Sequence, residues 1–393
     1  MKVVINPVSR VSASFAAVLP LALTFGLVGC GSESDPAGAD PTPVVERYAE
    51  MVHENYEVAI DGVAALDSSV QALIASPSAQ TLGAARTAWL QARSAYGESE
   101  VYRFYGGPID DADGPEGQIN AWPLDEVFID YVDGDPDSGI INLTAEFPEI
   151  TTDLLVSQNE KGGEKNIATG YHAVEFLLWG QDKSADGPGA RPFTDYVTDG
   201  TGTAANQDRR AKYLTVVTAL LLADLQSVEA QWHPGEENYG ATFVKDPQDA
   251  LGKMLKGMGS LAGAELSRER MNNALQEQDQ EEEHSCFSDN THADLVANAT
   301  AVQNVYLGRF GDTDGAGIDE LVKAVDPDLD ERLAGELEAA LAAIDAIPQP
   351  FDQALVDADG RAKIQAAIDA LQKVTESIVE VATALGVTIN LEE

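Results

Sequence analysis

Residues 43–66 read PVVERYAEMVHENYEVAIDGVAAL, and the spacing of their apolar side chains indicates the class of fold. Apolar residues recur at steps of three and four, which places them on one face of an α-helix. The residues on this face are Val44, Tyr48, Met51, Val52, Tyr56, Ile60, Val63 and Leu66. We therefore predict a long amphipathic helix that packs against a neighbour through this face.

The same period returns after short breaks along the rest of the chain. A second helix follows the Ser-Pro-Ser break at 76–78, and a strongly apolar helix runs from about 208 to 232. Further helical patterns cover 248–276, a segment around 288–308, and two Ala- and Leu-rich stretches near the C-terminus. Because no stretch shows sustained strand alternation, we predict an all-α fold.

Residues 233–250 carry turn signals and no helical period, so we place a domain boundary there. We expect two helical bundles packed side by side, one from residues 43–232 and one from residues 248–393. An aromatic helix end is followed by a Gly-rich turn that closes on Ile-Asp at 101–110 and again at 305–319. This echo indicates that the two bundles are related by duplication.

The N-terminus has the composition of an export signal. Residues 1–29 combine two basic residues with an apolar run and contain no acidic side chain. Residues 27–30, LVGC, resemble the lipobox at which bacterial lipoprotein signals are cleaved and the new N-terminal cysteine is lipidated. We predict a lipoprotein signal over 1–29, a lipid anchor on Cys30 and a flexible tether over 30–42. An ordinary cleaved signal with a chance cysteine is the alternative.

Charge and cysteine content exclude two classes of protein. The chain has 24 basic and 66 acidic residues, a net charge of −42. Such a surface repels nucleic acid and anionic lipid, so we exclude a DNA or RNA partner and expect the membrane contact to be the lipid anchor. Lipidation of Cys30 would leave Cys286 without a partner, so a disulfide framework is excluded as well.

Residues 170–180, GYHAVEFLLWG, contain the first candidate site. His172 and Glu175 share one stripe of a helix whose remaining circumference is apolar, so both side chains are expected to be buried. An unpaired buried carboxylate costs several kcal/mol, and its partner could be a metal ion, an Arg or Lys, or a hydrogen-bond network. A His/Glu pair three residues apart can converge on one metal ion, although two ligands do not define a metal site.

Residues 280–294, QEEEHSCFSDNTHAD, contain the second candidate cluster. Glu281 and His284 have the mirror spacing, Glu-x-x-His, and we expect them to face His172 if a helix continues through them. The competing interpretation is that Ser288, Asp289 and Asn290 cap the helix that follows. We retain both interpretations.

Several other polar residues are expected near these motifs. They are Arg103, Asp110, Ser285, Asp289 and His292. Arg103 could supply a cation to one of the carboxylates, and Asp110 belongs to a Gly-, Pro- and Asp-rich loop that we interpret as structural. Cys286 is interpreted as a small buried hydrophobe. His53 and His233 stand apart from both motifs, and we interpret them as a helix-surface residue and a loop residue.

The chain resembles the imelysin family of bacterial envelope proteins, which includes the iron-regulated protein A type. The resemblance is carried by GYHAVEFLLWG with its Gly-x-His-x-x-Glu core, GGPID at 106–110, INAWPLDE at 119–126 and EEEHSCFSDNTH at 281–292. It implies two helical bundles with the Gly-x-His-x-x-Glu site near their junction, export, often as a lipoprotein, and iron-responsive expression. It also implies that His172 and Glu175 are functional, joined by residues of 281–292. The family was named for a reported metallopeptidase activity.

Three functions are compatible with these residues. The first is a cell-envelope protein for iron acquisition that holds iron, zinc or a small metal complex at His172, Glu175, Glu281 and His284. The second is a metallopeptidase, in which zinc activates water and Glu175 acts as general base. Helical zinc peptidases carry two histidines in HExxH or HxxEH, and Phe176 stands where the second is required, so binding is favoured. The third is a helical scaffold without metal. The sequence names no transport partner.

Overall fold

The computed structural model describes residues 39–184 and 187–391. The predicted signal sequence over 1–29, the lipidation site at Cys30 and most of the tether over 30–42 lie outside the described residues. Those three assignments stay predictions.

Helices account for most of the described residues, which confirms the predicted all-α fold. The α-helices are α1 Thr42–Ala75, α2 Ala79–Gly97, α3 Glu116–Ile119, α4 Glu126–Ile129, α5 Gly139–Asn142, α6 Thr152–Gln158, α7 Gly170–Trp179, α8 Gln207–Ala230, α9 Tyr239–Phe243, α10 Pro247–Ser260, α11 Asn273–Glu277, α12 Thr291–Leu307, α13 Ile318–Val325, α14 Pro327–Asp345, α15 Phe351–Val356 and α16 Ala358–Ala384. Short 3-10 helices lie at Glu98–Tyr102, Phe193–Tyr196 and Gln280–Glu282, and Leu261–Asn272 continues α10 as a π-helix. Strands β1 Arg309–Phe310 and β2 Thr313–Asp314 pair antiparallel, with Arg309 opposite Asp314.

The long helix predicted from residues 43–66 is α1, which packs against α2 and α8. Its apolar period continues to Leu73, so the helix is longer than the quoted stretch. The turn before α2 is closed by a capping box. Ser78 Oγ accepts the Thr81 N–H at 3.1 Å, and Thr81 Oγ1 accepts the Ser78 N–H at 3.0 Å. The first two helices therefore have the antiparallel arrangement that their apolar faces and short turn predict.

A second group of helices contains α10 with its π-helical extension, α12, α14 and α16. Of these, α12 also packs against α2 and the 3-10 helix Glu98–Tyr102, which belong to the first half of the chain. The described residues form one compact unit. The domain boundary at 233–250 and the duplication stay predictions.

The segment 280–290 is not the helix on which the pairing of Glu281 with His284 depended. A 3-10 helix covers Gln280–Glu282, turns follow, and α12 begins only at Thr291. The expected cap is also wrong, because Asn290 is the N-cap residue of α12 but makes no side-chain cap bond. The Ser288 hydroxyl donates to Glu175 instead.

Two of the described helices, α1 and α8, are long and apolar enough to cross a membrane by length and composition. The core helices of a folded domain pass the same test, and these two pack against each other. Their apolar composition is therefore weak support for a membrane span.

Candidate functional site

The helix α7 carries His172 and Glu175 in the interior of the protein. All of its 10 residues are buried. Gly170 begins the helix with a φ of +84°, and a Cβ atom there would lie 2.4 Å from the carbonyl oxygen of Ile119. Glycine alone combines this backbone conformation with this close approach. The glycine of the Gly-x-His-x-x-Glu motif thus positions the helix that holds the two polar side chains.

His172 and Glu175 form the centre of the site, where their side chains are 1% and 0% exposed. Nδ1 of His172 lies 2.9 Å from Oε2 of Glu175. The other oxygen, Oε1, accepts the Ser288 N–H at 2.9 Å and the Ser288 hydroxyl at 2.7 Å. Both carboxylate oxygens are engaged by protein groups, so a hydrogen-bond network is the partner that compensates this buried acid.

Burial governs the ionisation of both residues. It raises the pKa of Glu175 to about 8, although the Ser288 bonds act in the opposite direction. It lowers the pKa of His172 well below its usual range, and the charges of Arg93 and His284 lower it further. The His172 ring is therefore neutral, and its two nitrogens have different roles.

The other nitrogen of His172, Nε2, is buried and has no hydrogen-bond partner among the described residues. Buried polar atoms are rarely left without a partner, so this nitrogen is available to a group that the described residues do not supply. When Nδ1–H donates to Glu175, Nε2 presents a free lone pair. This is how a carboxylate orients a metal-binding histidine.

His284 reaches this centre from the segment 280–290. Its ring centroid lies 5.0 Å from that of His172 and 5.6 Å from that of Trp122. Nδ1 of His284 is 3.0 Å from Oδ2 of Asp294, and Nε2 is 3.2 Å from Nη2 of Arg93. Burial, Arg270 and Arg93 hold the pKa of His284 well below its usual range. The neutral ring donates from Nδ1 to Asp294 and accepts at Nε2 from Arg93, so both of its nitrogens are engaged.

Arg93, on α2, is the cation of the site and is fully buried. Its Nε donates to Oδ1 of Asp294 at 3.3 Å, and its Nη1 donates to Oδ1 of Asn120. Its Nη2 lies 3.6 Å from Oε1 of Glu100. The guanidinium also stacks near the ring of Tyr171, with its Cζ 5.3 Å from the ring centroid. Arg93 is thus neutralised by two carboxylates and held in one orientation.

The ionised network continues from Arg93 to a second buried arginine. Arg270, on the π-helix, donates through Nη2 to Oε2 of Glu100 at 2.5 Å and through Nη1 to Oδ1 of Asn298. Burial alone would raise the pKa of Glu100, but Arg270 and Arg93 lower it to about 2. This network joins α2, α12 and the π-helix beneath the two histidines.

Of the four predicted ligands, the structure brings His172, Glu175 and His284 together but leaves Glu281 outside. Glu281 is exposed on its 3-10 helix, and no described hydrogen bond or ion pair joins it to His172. Glu283 is the buried acid of this run, at 1% exposure, and burial raises its pKa well above its usual range. The mirror spacing failed because it assumed a helix that does not form.

Ser285 and His292 have separate environments. Ser285 Oγ donates to Oδ2 of Asp294 at 2.5 Å, so this residue belongs to the network around His284. His292 faces the end of α14 and the turn that follows it: Nε2 is 3.1 Å from the carbonyl oxygen of Ile344 and Nδ1 is 3.0 Å from Nε2 of Gln349. Both nitrogens of His292 therefore have structural partners.

Arg103 and Asp110 stabilise their own surroundings. Arg103 pairs with Glu100 at 3.4 Å and with Glu116 at 2.9 Å, so the carboxylates it serves are not those of the Gly-x-His-x-x-Glu motif. Asp110 accepts the Gly107 N–H at 2.8 Å and closes its own loop, as the structural interpretation of that loop expected.

Asp289 and Cys286 lie on the same segment as His284. Asp289 adopts a φ of +57° in a turn and shares a hydrogen bond with Asp182. Cys286 is half-buried, and burial raises the pKa of its thiol well above its usual range, with Glu175 adding to the shift. The thiol is protonated, which fits a small hydrophobe and not a nucleophile.

Four buried residues of the site were not predicted from the sequence: Arg93, Asp294, Arg270 and Glu100. One signal for Arg93 was available, because it falls four residues after Trp89 and three before Tyr96 on the apolar face of α2. A charged residue in that position requires a buried partner. The helical pattern does not identify which of the 66 acidic residues supplies it.

As a metal site, the region around His172 offers one free ligand atom. Zinc sites in proteins use three or four protein ligands. Within the part of the chain that the structure describes, this region holds no three His, Cys, Asp or Glu ligand atoms within 4.8 Å of one another. His172 Nε2 fits as one ligand of a metal. The guanidinium of Arg93 beside His284 disfavours a bare divalent cation at the second histidine.

Comparison with known proteins assigns the family. The model of the family named Imelysin matches residues 52–378 of the chain. The chain belongs to the imelysin family. A relative, Iron-regulated protein A from Synechococcus elongatus, is 24% identical over 373 residues, which cover 92% of this chain and 93% of the relative.

Two crystal structures have the same fold as this imelysin-family protein. One, from Parabacteroides distasonis, is described as a putative iron-regulated protein A precursor; it has a TM-score of 0.70 at 20% identity and covers 90% of this chain and 97% of its own. The other is an imelysin-like protein from Psychrobacter arcticum, with a TM-score of 0.62 at 15% identity, covering 88% and 97%. At these identities the likeness shows the fold alone.

Proposed function

We propose that this protein is an exported, lipid-anchored protein of the cell envelope that binds an iron complex at His172 and serves iron acquisition. Export and anchoring are supported by the composition of residues 1–29 and by Cys30 in its lipobox-like context. A role connected with iron is supported by the name of the Synechococcus relative, Iron-regulated protein A.

The observation that carries the binding function is the unpartnered Nε2 of His172. It is a neutral imidazole nitrogen, buried, on a ring that is oriented by the Glu175 side chain, which Ser288 holds in place. A first-row transition metal such as iron or zinc is the natural partner of such a nitrogen. In this arrangement His172 binds the metal, and Glu175 orients the ring without contacting the metal.

A metal that arrives with its own ligands fits this site better than a bare ion. His172 supplies one nitrogen, while both nitrogens of His284 are engaged by Asp294 and Arg93. The remaining coordination positions must therefore come from outside the protein. The guanidinium of Arg93 favours anionic oxygen ligands, such as carboxylates, near the metal.

The alternative function, a metallopeptidase, requires more free groups than the described residues provide. A catalytic zinc takes three protein ligands, and a neighbouring carboxylate must be free to take a proton from water. Here Glu175 accepts two bonds from Ser288 and contacts His172, so neither oxygen is free to activate water. This supports binding over hydrolysis.

Access to His172 needs a local movement, because its side chain is 1% exposed. The segment 280–290 contributes His284 and Ser288 to the site. It is held by the Trp122 indole, which donates to the carbonyl oxygen of Glu283 at 2.8 Å, and by the Gly189 N–H, which donates to that of Phe287 at 2.9 Å. We expect this segment to open when the ligand enters.

The experiment uses the full chain, purified without a histidine tag and incubated with ferric citrate. Iron and citrate retained after gel filtration are quantified for the parent, for His172→Ala and for His292→Gln, a buried histidine outside the site. We expect the parent and His292→Gln to retain iron with citrate and His172→Ala to lose both. Equal retention by His172→Ala would overturn the proposal. Zinc-dependent peptide hydrolysis that His172→Ala abolishes would favour the peptidase.

A further inference from the structure

A second group of metal-ligating side chains lies away from α7, where α1 meets the end of α8. It consists of His53 on α1, Glu229 in the last turn of α8 and His233 just beyond that helix. One ligand atom from each lies within 4.8 Å of the other two. From this arrangement we propose a second binding site, for a divalent first-row transition metal, formed by His53, Glu229 and His233.

Both imidazoles converge on one carboxylate oxygen. Nδ1 of His53 and Nδ1 of His233 each lie 2.9 Å from Oε1 of Glu229. The ring centroids are 5.0 Å apart and the ring planes are nearly perpendicular, at 87°. The two nitrogens and the Glu229 oxygen therefore lie close together, and the two rings approach from different directions, as ligands around one ion do.

The His53 contact is poorly explained as an ordinary hydrogen bond. Nδ1 of His53 is buried, and although it is close to Glu229 it has no hydrogen bond of acceptable geometry among the described residues. The His233 nitrogen does make a bond of acceptable geometry to the same oxygen. The His233 nitrogen is therefore hydrogen-bonded, whereas the His53 nitrogen is not. An ion between the three groups would provide a partner for both rings.

The distances from Glu229 to the two histidines need little change to hold an ion. Metal–ligand bonds of roughly 2.0–2.1 Å in a tetrahedral site place neighbouring ligand atoms ~3.3 Å apart. The 2.9 Å contacts have to widen by a few tenths of an ångström. The His233 side chain is 52% exposed, so it can rotate without disturbing the core.

Charge around the group favours a cation. Oε2 of Glu57 lies 3.6 Å from Nε2 of His53, on the side of the ring away from Glu229, where an outer carboxylate orients a metal-binding histidine. The adjoining groove is also lined by Asp61 and Asp312, and none of its lining residues in the described structure is Lys or Arg.

The ligand set identifies the class of ion. Two imidazoles and one carboxylate with open positions suit Fe(II), Mn(II), Co(II) or Zn(II), whereas Ca²⁺ and Mg²⁺ prefer all-oxygen sites. The exposed side of His233 leaves those positions open to water or to a small ligand. The site is separate from the His172 centre and does not depend on it.

The test measures Zn²⁺ binding by titration calorimetry on the full chain without a histidine tag, in the His172→Ala background to silence the first centre. The ligand variants are His233→Ala and His53→Gln, and the control is Glu236→Gln, a neighbouring carboxylate outside the group. We expect one equivalent of Zn²⁺ to bind. Each ligand variant should weaken the affinity by at least about 10-fold, because removing even an outer partner of a metal ligand costs that much. Glu236→Gln should change the affinity by much less. Cobalt(II) in place of zinc should give a visible absorption band that His233→Ala abolishes.

Two results would overturn the second site. One is the absence of any Zn²⁺ binding in the His172→Ala background. The other is binding that survives unchanged in both His53→Gln and His233→Ala. Because His233 is exposed, we expect His233→Ala to fold even if His53→Gln is unstable. Circular dichroism checks the folding of both variants.

Discussion

Glu175 holds His172 by its Nδ1 atom at 2.9 Å, and the far side of the same ring, Nε2, is buried without a partner among the described residues. The three named residues of the Gly-x-His-x-x-Glu motif therefore have different roles. The glycine permits the helix start, the glutamate orients the ring, and Nε2 of the histidine is the atom to which the proposed function assigns the iron complex.

Replacing Ser288 with alanine tests the orienting role of Glu175. The variant removes the hydroxyl bond to Oε1 and keeps the backbone bond, so we expect the free energy of unfolding to fall by about 1 kcal/mol. We also expect the affinity for the iron complex to fall by about 10-fold, as for the loss of an outer partner of a metal ligand. Ser227→Ala, an exposed serine of α8, is the control. Unchanged affinity in Ser288→Ala would contradict this role.

Removing Arg93 should destabilise the whole protein. Arg93→Ala leaves the buried carboxylate of Asp294 without its arginine, and breaking a buried ion pair in this way typically costs about 3–5 kcal/mol. The control is Arg309→Ala, whose partner Asp314 lies at a similar 3.2 Å but with both side chains more than half exposed. Its change in unfolding free energy should stay below about 1 kcal/mol. Urea unfolding of both variants checks this, and equal destabilisation would refute the importance of the buried network.

Gly170→Ala and Gly83→Ala should shift stability in opposite directions. Gly170 has a φ of +84° and close contact with Ile119, so alanine there should cost about 1–3 kcal/mol from backbone conformation, and more from the clash. A Cβ atom on Gly83, inside α2, would meet nothing within 4 Å, so alanine there should stabilise by about 0.5–1 kcal/mol. Thermal unfolding distinguishes the signs, and a neutral Gly170→Ala would show that the helix start can adjust.

Asp289→Asn should stabilise the protein at neutral pH. Burial, with Asp182 and Asp352, raises the pKa of Asp289 to about 7 from 3.8. Because the folded value is the higher one, the folded state binds more protons between those pH values, and stability falls as pH rises through that window. Asparagine stays uncharged and tolerates the φ of +57°.

The gain should be about 1 kcal/mol at pH 7.5, since water partly screens this group, and it should disappear near pH 4. Unfolding free energies measured at both pH values check the prediction. Glu338→Gln, which removes an exposed acid on α14, is the matched control. A gain that is the same at both pH values would point to a cause other than ionisation.

The helices could be predicted from the sequence because their information is local. The period of three and four that begins at Val44 fixes the buried face of α1, and the short turn at 76–78 fixes its neighbour. His172 and Glu175 stood out for a similar reason, since two polar residues interrupt an otherwise apolar helix. In both cases the informative residues lie within one or two turns of each other.

The partners of the site could not be predicted in the same way. His284 was identified, but its spacing from Glu281 has meaning only on a helix, and contacts from Trp122 and Glu175 hold the segment 280–290 in turns instead. Arg93 meets Asp294 across 201 residues of sequence. Such pairings are set by how helices pack, which no local pattern encodes.

These long separations also set the order in which the protein can become functional. Ser288 reaches Glu175 across 113 residues, and Arg93 reaches Asp294 across 201. Closing loops of that length is slow and happens late in folding. A growing chain contains the Gly-x-His-x-x-Glu motif before Ser288 and Asp294 have been synthesised. At that stage it lacks these two partners of the site. The iron complex of the proposed function would therefore be bound only after most of the chain has been made and folded.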